Sequence, residues 1–218
     1  MEYDSQGPIL KVLLLIGGNS TATGSPKGLL RHQDGQLAFE HTLNTLHSAV
    51  PSASTIYISL QDIIQLSYIE PTLKNIAVRR TTDAEHHEHD DHRPTFPECC
   101  PLVNRQDEDI GPAAGLLNAH NIHPESTWLV LSCDYPLLPP SSLQQLILEY
   151  QYPVTCFVNE KGIAEPLIGI WGAEALEKLK ENGRIGSNDL YAVVEEMKGK
   201  LVKPLREEWI TPTNTREE

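Results

Sequence analysis

Positive charge is scarce in this chain. Its 218 residues carry 17 Lys and Arg against 30 Asp and Glu, a formal net charge of −13. Proteins that grip a nucleic-acid backbone draw their affinity from clustered cations, so the composition argues against that class. Long apolar runs are missing as well. The longest near the start, 12–16, falls far short of the about 20 residues a membrane-spanning helix needs. The first eight residues include Glu2 and Asp4 and lack the basic start and apolar stretch of a secretory signal. Cysteine is sparse: Cys99, Cys100, Cys133 and Cys156 form no C-x-x-C pair. Without a secretory context these point to reduced thiols and a cytoplasmic location.

What is present is ordinary globular material. Hydrophobic residues make up 39% and charged residues 22%, which fits neither a fibrous nor a disordered chain, and the length suits one domain spanning 1–218. The segment 10–16 is a nearly continuous apolar run closed by Gly17 and Gly18, the pattern of a parallel strand buried on both faces. A helix is expected over 36–50, stopped by Pro51, then a strand at 55–60, a short helix at 62–69 and a short strand at 75–78. The stretch 81–98 is charged, contains proline and has almost no aliphatic residues, and it reads as a mobile acidic and His-rich insertion. Beyond it come a small-residue helix at 112–120, a buried strand at 127–132 and a helix at 141–150. Two strands at 153–158 and 164–171 flank a turn, and helices follow at 173–181 and 188–197. Such alternation predicts an α/β fold, a three-layer α/β/α sandwich around a mostly parallel sheet.

Three stretches carry chemistry. The first is the small-residue loop after the first strand, GGNSTATGSPKGLL, which ends on Lys27. Gly17 and Gly18 let backbone N–H groups approach an anion, and Lys27 supplies a cation that this acidic chain otherwise lacks. The Walker A pattern is not met, because Ser25 and Pro26 separate Gly24 from the lysine, and an ordinary strand-to-helix connection is the alternative reading. The second is LVLSCDYPLLPP, where a buried strand ends on Asp134. Ligands of open α/β sheets bind beyond the carboxyl ends of the strands, so Asp134 and the 17–27 loop are expected to share a crevice. There Asp134 would suit Mg²⁺, which takes one or two carboxylates together with phosphate oxygens and waters. A turn or helix-capping role is the competing reading. The third, DEDIGPAAG, joins an acidic turn at Asp107 and Asp109 to a small-residue helix. It would leave room above Gly111 and Gly115 for a base or an acceptor, although Gly-Pro is also a common helix start and ordinary surface carboxylates are the safer reading of both acids.

Together with EPLIGIW and the terminal NTREE, these motifs, taken in chain order with DIGPAAGLLNAH before LVLSCDYPLLPP, resemble the MobA-like nucleotidyltransferases, which include molybdenum cofactor guanylyltransferase. The similarity runs from about residue 11 to the C-terminus, interrupted by 81–98. It implies the nucleotide-diphospho-sugar transferase type of fold. It also implies an Mg²⁺-dependent reaction in which an NTP, first GTP, gives its nucleoside monophosphate to a phosphate-bearing acceptor, first molybdopterin, releasing pyrophosphate. Ile16, Gly17, Gly18, Lys27, Asp107 and Gly111 would then bind the nucleotide, Asp134 would hold the metal, and Lys27 and Asp134 would carry catalysis. CTP, or a sugar or polyol phosphate acceptor, remains open, because one fold serves many such reactions. The chain departs from the family at Ala22 and Thr23, where arginine and methionine are usual. A missing cation of that kind costs on the order of 10²-fold in rate unless replaced. Arg31 and Arg184 are candidate substitutes, and a nucleotide-binding member without turnover is the rival reading.

The cluster His86, His87, His89 and His92 lacks the spacing of a closed zinc site and is expected to be a solvated loop. Trp128 and Trp171, set in apolar strands, are expected in the core.

Overall fold

The structure, a computed structural model, describes residues 10–16, 27–31, 35–86, 96–104 and 110–212. The 12–16 run forms the centre of β1 (Leu10–Leu15), whose side chains alternate between two cores: Val12 and Leu14 face one, Leu13 and Leu15 the other. All four are buried, which is why no polar alternation marks this strand. The same double burial shapes β2 (Thr55–Leu60) and β4 (Thr127–Ser132).

Among the described residues, seven strands make one sheet in the order β3-β2-β1-β4-β6-β5-β7. Here β3 is Glu98–Val103, β5 Val154–Val158, β6 Ala164–Trp171 and β7 Lys200–Val202. The pairs β3/β2, β2/β1, β1/β4 and β5/β7 are parallel, and β6 runs antiparallel between β4 and β5. Helices α1 (Ala38–Ala49), α2 (Ile63–His86) and α4 (Pro140–Leu148) cover one face. The other is covered by α3 (Ala113–Ile122), α5 (Ala173–Arg184) and α6 (Leu190–Glu196). The expected three-layer α/β/α fold with a mostly parallel sheet is therefore the observed one.

Three local expectations need correction. Residues 75–78 are helical, not a strand: Leu66, Ile69, Leu73 and Ile76 recur at helical spacing and pack as one face on the core, so α2 continues through Pro71. Of the stretch 81–98 expected to be a mobile insertion, residues 81–86 continue α2 to His86 and Glu98 opens β3; residues 87–95, with His87, His89 and His92, lie outside the described residues. Strand β3 had no place in the sequence reading because Pro101 interrupts it; proline is tolerated there because β3 is an edge strand and needs one ladder partner only. Trp128 and Trp171 are buried as expected, and no disulfide joins any of the four cysteines.

Candidate active site at the carboxyl end of the sheet

Three strand ends build the site. Ile16, just past β1, is buried and donates its N–H to the Ser59 carbonyl at 3.3 Å, holding the exit of β1 against β2. On the other side the Cys133 N–H donates to the Leu15 carbonyl at 3.1 Å, extending the β1/β4 ladder by one rung and fixing where the chain leaves β4. Asp134 is the next residue. Its backbone N–H donates to Ser132 Oγ at 3.4 Å, and the Ser132 hydroxyl donates to Asp134 Oδ2 at 3.3 Å.

Lys27 returns to this point from the glycine-rich loop. It opens a 3₁₀ turn, Lys27–Leu29, closed by the Leu30 N–H on the Lys27 carbonyl at 3.1 Å. Gly28 seats that turn directly on Ile16: a Cβ at this position would lie 2.9 Å from the Ile16 Cβ, closer than packed carbons allow. Lys27 Nζ thereby reaches 3.3 Å from Asp134 Oδ1, with side chains 27% and 19% exposed, still open to solvent and to a ligand. Two residues separated by more than a hundred positions in the chain thus form an ion pair; of the 17–27 loop expected to share a crevice with Asp134, Lys27 alone lies among the described residues.

The remaining candidates divide. Gly111 lies at the same sheet end, before α3, with φ +61°; no atom would crowd a Cβ there, but the backbone conformation favours glycine. Gly115 offers no room for a ligand, contrary to expectation. Its Cβ would meet Ser59 Oγ at 2.5 Å and a Leu15 methyl at 2.6 Å, so this glycine serves the close approach of α3 to the sheet. Gly17, Gly18, Ala22, Asp107 and Asp109 lie outside the described residues. Arg31 donates from Nη1 to the Gly35 carbonyl at 2.6 Å within its own loop, and Arg184 is exposed at the end of α5.

Residues not singled out earlier also reach this end. The buried Tyr135 phenol donates to Glu165 Oε2 at 2.8 Å, and Asn159 Nδ2 donates to Glu165 Oε1 at 3.3 Å. Burial raises the Glu165 carboxyl above its usual range, partly offset by these two donors. Burial and then the Glu165 charge push the Tyr135 phenol well up, so it remains a donor at neutral pH. The acid at the head of EPLIGIW was the available signal, since a carboxylate opening a buried strand needs a reason to be there.

Among the described residues no group of three or more His, Cys, Asp or Glu could hold a metal by itself.

The model of the MobA-like NTP transferase domain matches residues 12–201. This chain belongs to the MobA-like NTP transferase family. A curated relative, a molybdenum cofactor biosynthesis bifunctional protein of Synechocystis sp., is 26% identical over 110 residues, 49% of this chain. The match covers 32% of that longer protein, so this chain spans only part of its length. Solved structures share the fold. A protein of Aquifex aeolicus superposes over 97% of both chains with a TM-score of 0.62 at 18% identity. A molybdopterin-guanine dinucleotide biosynthesis protein A of Archaeoglobus fulgidus gives 0.64 at 16% identity, over 89% of this chain and 83% of its own. A nucleotidyl transferase of Methanothermobacter gives 0.67 at 15% identity, over 95% and 93%. In this member of the MobA-like family the Lys27–Asp134 pair sits at the carboxyl end of the central strands, the end at which open α/β sheets generally bind ligands. No helix among the described residues is long and apolar enough to cross a membrane.

Proposed function

We propose that this chain transfers a nucleoside monophosphate from an NTP, with GTP favoured, to a phosphate oxygen of an acceptor, with molybdopterin favoured. The observation that carries the reading is the Lys27–Asp134 contact, which pairs a cation from the glycine-rich loop with the lone carboxylate at the end of β4. Membership of a nucleotidyltransferase family supports the reaction class, and the molybdenum-cofactor relatives support the acceptor.

In the proposed reaction an acceptor phosphate oxygen forms a bond to the α-phosphorus. The bond from that phosphorus to the bridging oxygen breaks, and pyrophosphate leaves with the electron pair. Lys27 releases Asp134 and turns its ammonium to the phosphates, offsetting the negative charge that builds on them. The Gly17 and Gly18 backbone and Ile16 line the phosphates, with Asp107 and Gly111 toward the nucleoside. Asp134 fits Mg²⁺ as a single hard-oxygen donor, part exposed and oriented by Ser132, completed by phosphate oxygens and water. When bound there, Mg²⁺ would supply charge neutralisation between the reacting phosphates. No covalent intermediate on the protein is required.

The test is product formation with each of the four NTPs, Mg²⁺ and molybdopterin, read by mass. A guanine dinucleotide product formed in preference to the other three supports the reading; preference for CTP, or turnover only with a sugar or polyol phosphate, replaces it. Ala22 favours a second reading, a member that binds nucleotide without turnover, since Arg31 is engaged with Gly35. Saturable Mg²⁺-dependent GTP binding with no product from any acceptor would select that reading.

A further inference from the structure

Strand order divides the site. The Lys27 loop follows β1, Asp134 follows β4, and β6 lies on the side of β4 away from β1. A triphosphate held by the loop after β1 and by Asp134 covers the β1 side, which leaves the β6 side for the second substrate. There Glu165 is the second residue of β6. Ile168 pairs with Leu131, and Glu165 lies three residues beyond Ile168 as Asp134 lies three beyond Leu131, on the same sheet end.

Glu165 is built into place. Its strand is irregular at this point: Cys156 pairs with Gly169, while the next residue, Phe157, pairs with Glu165, so residues 166–168 of β6 are looped out of the β5 ladder. Bulges of this kind re-aim side chains next to functional sites. Trp171 Nε1 donates to the Pro166 carbonyl at 3.0 Å and pins the irregularity. Asn159 is fixed as well, because its Oδ1 accepts the N–H groups of Lys161 and Ile163, both at 3.0 Å, leaving Nδ2 to donate to Glu165. Tyr135, next to Asp134 in the chain, supplies the other donor. Tyr191, 46% exposed at the start of α6, has its phenol pushed up by burial and then by the Glu165 charge. Both donors to Glu165 are neutral, and among the described residues no lysine or arginine pairs with it. A half-buried carboxylate kept among other acids, with only neutral partners, retains spare acceptor capacity on each oxygen.

We propose that Glu165, positioned by Tyr135 and Asn159, is the specificity residue of the acceptor subsite, taking hydrogen-bond donors on the body of the acceptor while its phosphate faces Asp134. The shared chemistry is a donor-bearing group linked to a phosphate, met by the N–H edge of a pterin or by the hydroxyls of a sugar. This rests on the transfer reaction proposed above.

Steady-state pyrophosphate release would be measured for the full chain, Glu165→Gln and Tyr135→Phe with GTP, in one arm with molybdopterin and in the other with glucose 1-phosphate. The expected result is a KM for the active acceptor raised at least tenfold in Glu165→Gln and less in Tyr135→Phe. The KM for GTP should stay within twofold and kcat within threefold, a split that loss of packing would not produce. The arm that responds identifies the donor type. Equal rises in both KM values, or no rise, would overturn the Glu165 assignment and leave the transfer reaction standing. If the wild type releases no pyrophosphate in either arm, the transfer reading fails. Calorimetric titration of both acceptors into wild type and Glu165→Gln then decides this inference: weaker binding to the variant upholds it, and equal or absent binding overturns it.

Discussion

The ammonium of Lys27 and the carboxylate of Asp134 hold each other at 3.3 Å, a contact that the proposed reaction requires to open. Part-exposed pairs of this kind contribute about 0–1 kcal/mol, so a ligand bringing a cation and phosphates can displace the contact. Under the proposed reaction, Mg²⁺ and Lys27 would compete for Asp134. Lys27→Met is expected to raise the affinity for Mg²⁺ alone by up to about fivefold, the equivalent of about 1 kcal/mol, while lowering the affinity for Mg·GTP. Calorimetry of Mg²⁺ with and without GTP checks this; unchanged Mg²⁺ affinity in the variant would deny Asp134 the metal. Gly28 acts one step further out. Gly28→Ala must push the Lys27 turn off Ile16, and the expected cost is about 1–3 kcal/mol of stability together with slower turnover. Chemical denaturation beside a rate assay separates the two effects, and a variant of native stability and full rate would mean that the turn adjusts freely.

At the level of elements, the site depends on how closely α3 and the strand ends pack. Gly115→Ala would drive a methyl into Ser59 and Leu15, displacing the helix from the sheet; a loss of about 1–3 kcal/mol in a urea titration is expected, and a loss below a few tenths would show that α3 has slack. Much of this architecture was legible in advance because β1, β2 and β4 are apolar runs buried on both faces, and because the connections between them are glycine- or proline-marked. What was missed has physical causes. The 75–78 segment is β-branched enough to resemble a strand, but its apolar residues continue a helical face begun at Leu66. Strand β3 hides behind Pro101, and β7, three residues long, is stabilised by its ladder to β5 rather than by any pattern of its own. In the site, Lys27 and Asp134 stood out as a cation ending a glycine-rich loop and an acid ending a buried strand. Glu165 did not, because only the folded sheet carries it from the hairpin after β5 to the neighbourhood of Asp134.

Across the whole molecule, Lys27 lies at the carboxyl end of the sheet, and burial keeps two of the thiols quiet. Burial pushes the Cys156 thiol up to about 12, and Cys133, fully enclosed beside Asp134, is pushed higher still. A thiol with a pKa near 12 is about 10⁻⁴ thiolate at pH 8, and only the thiolate alkylates. Native protein treated with iodoacetamide at pH 8 should therefore leave Cys133 and Cys156 unmodified, with both reacting in urea; peptide mass mapping reads the result, and rapid native alkylation of Cys156 would contradict the sheet packing. The central claim joins this architecture to chemistry: Lys27 and Asp134, brought together by β1 and β4, form the catalytic pair of a nucleotidyltransferase. Its most direct test is pyrophosphate release from GTP with molybdopterin and Mg²⁺ by wild type, Lys27→Ala and Asp134→Ala. The account predicts release by the wild type and a fall on the order of 10²-fold or more in each variant. Equal release by all three would contradict it.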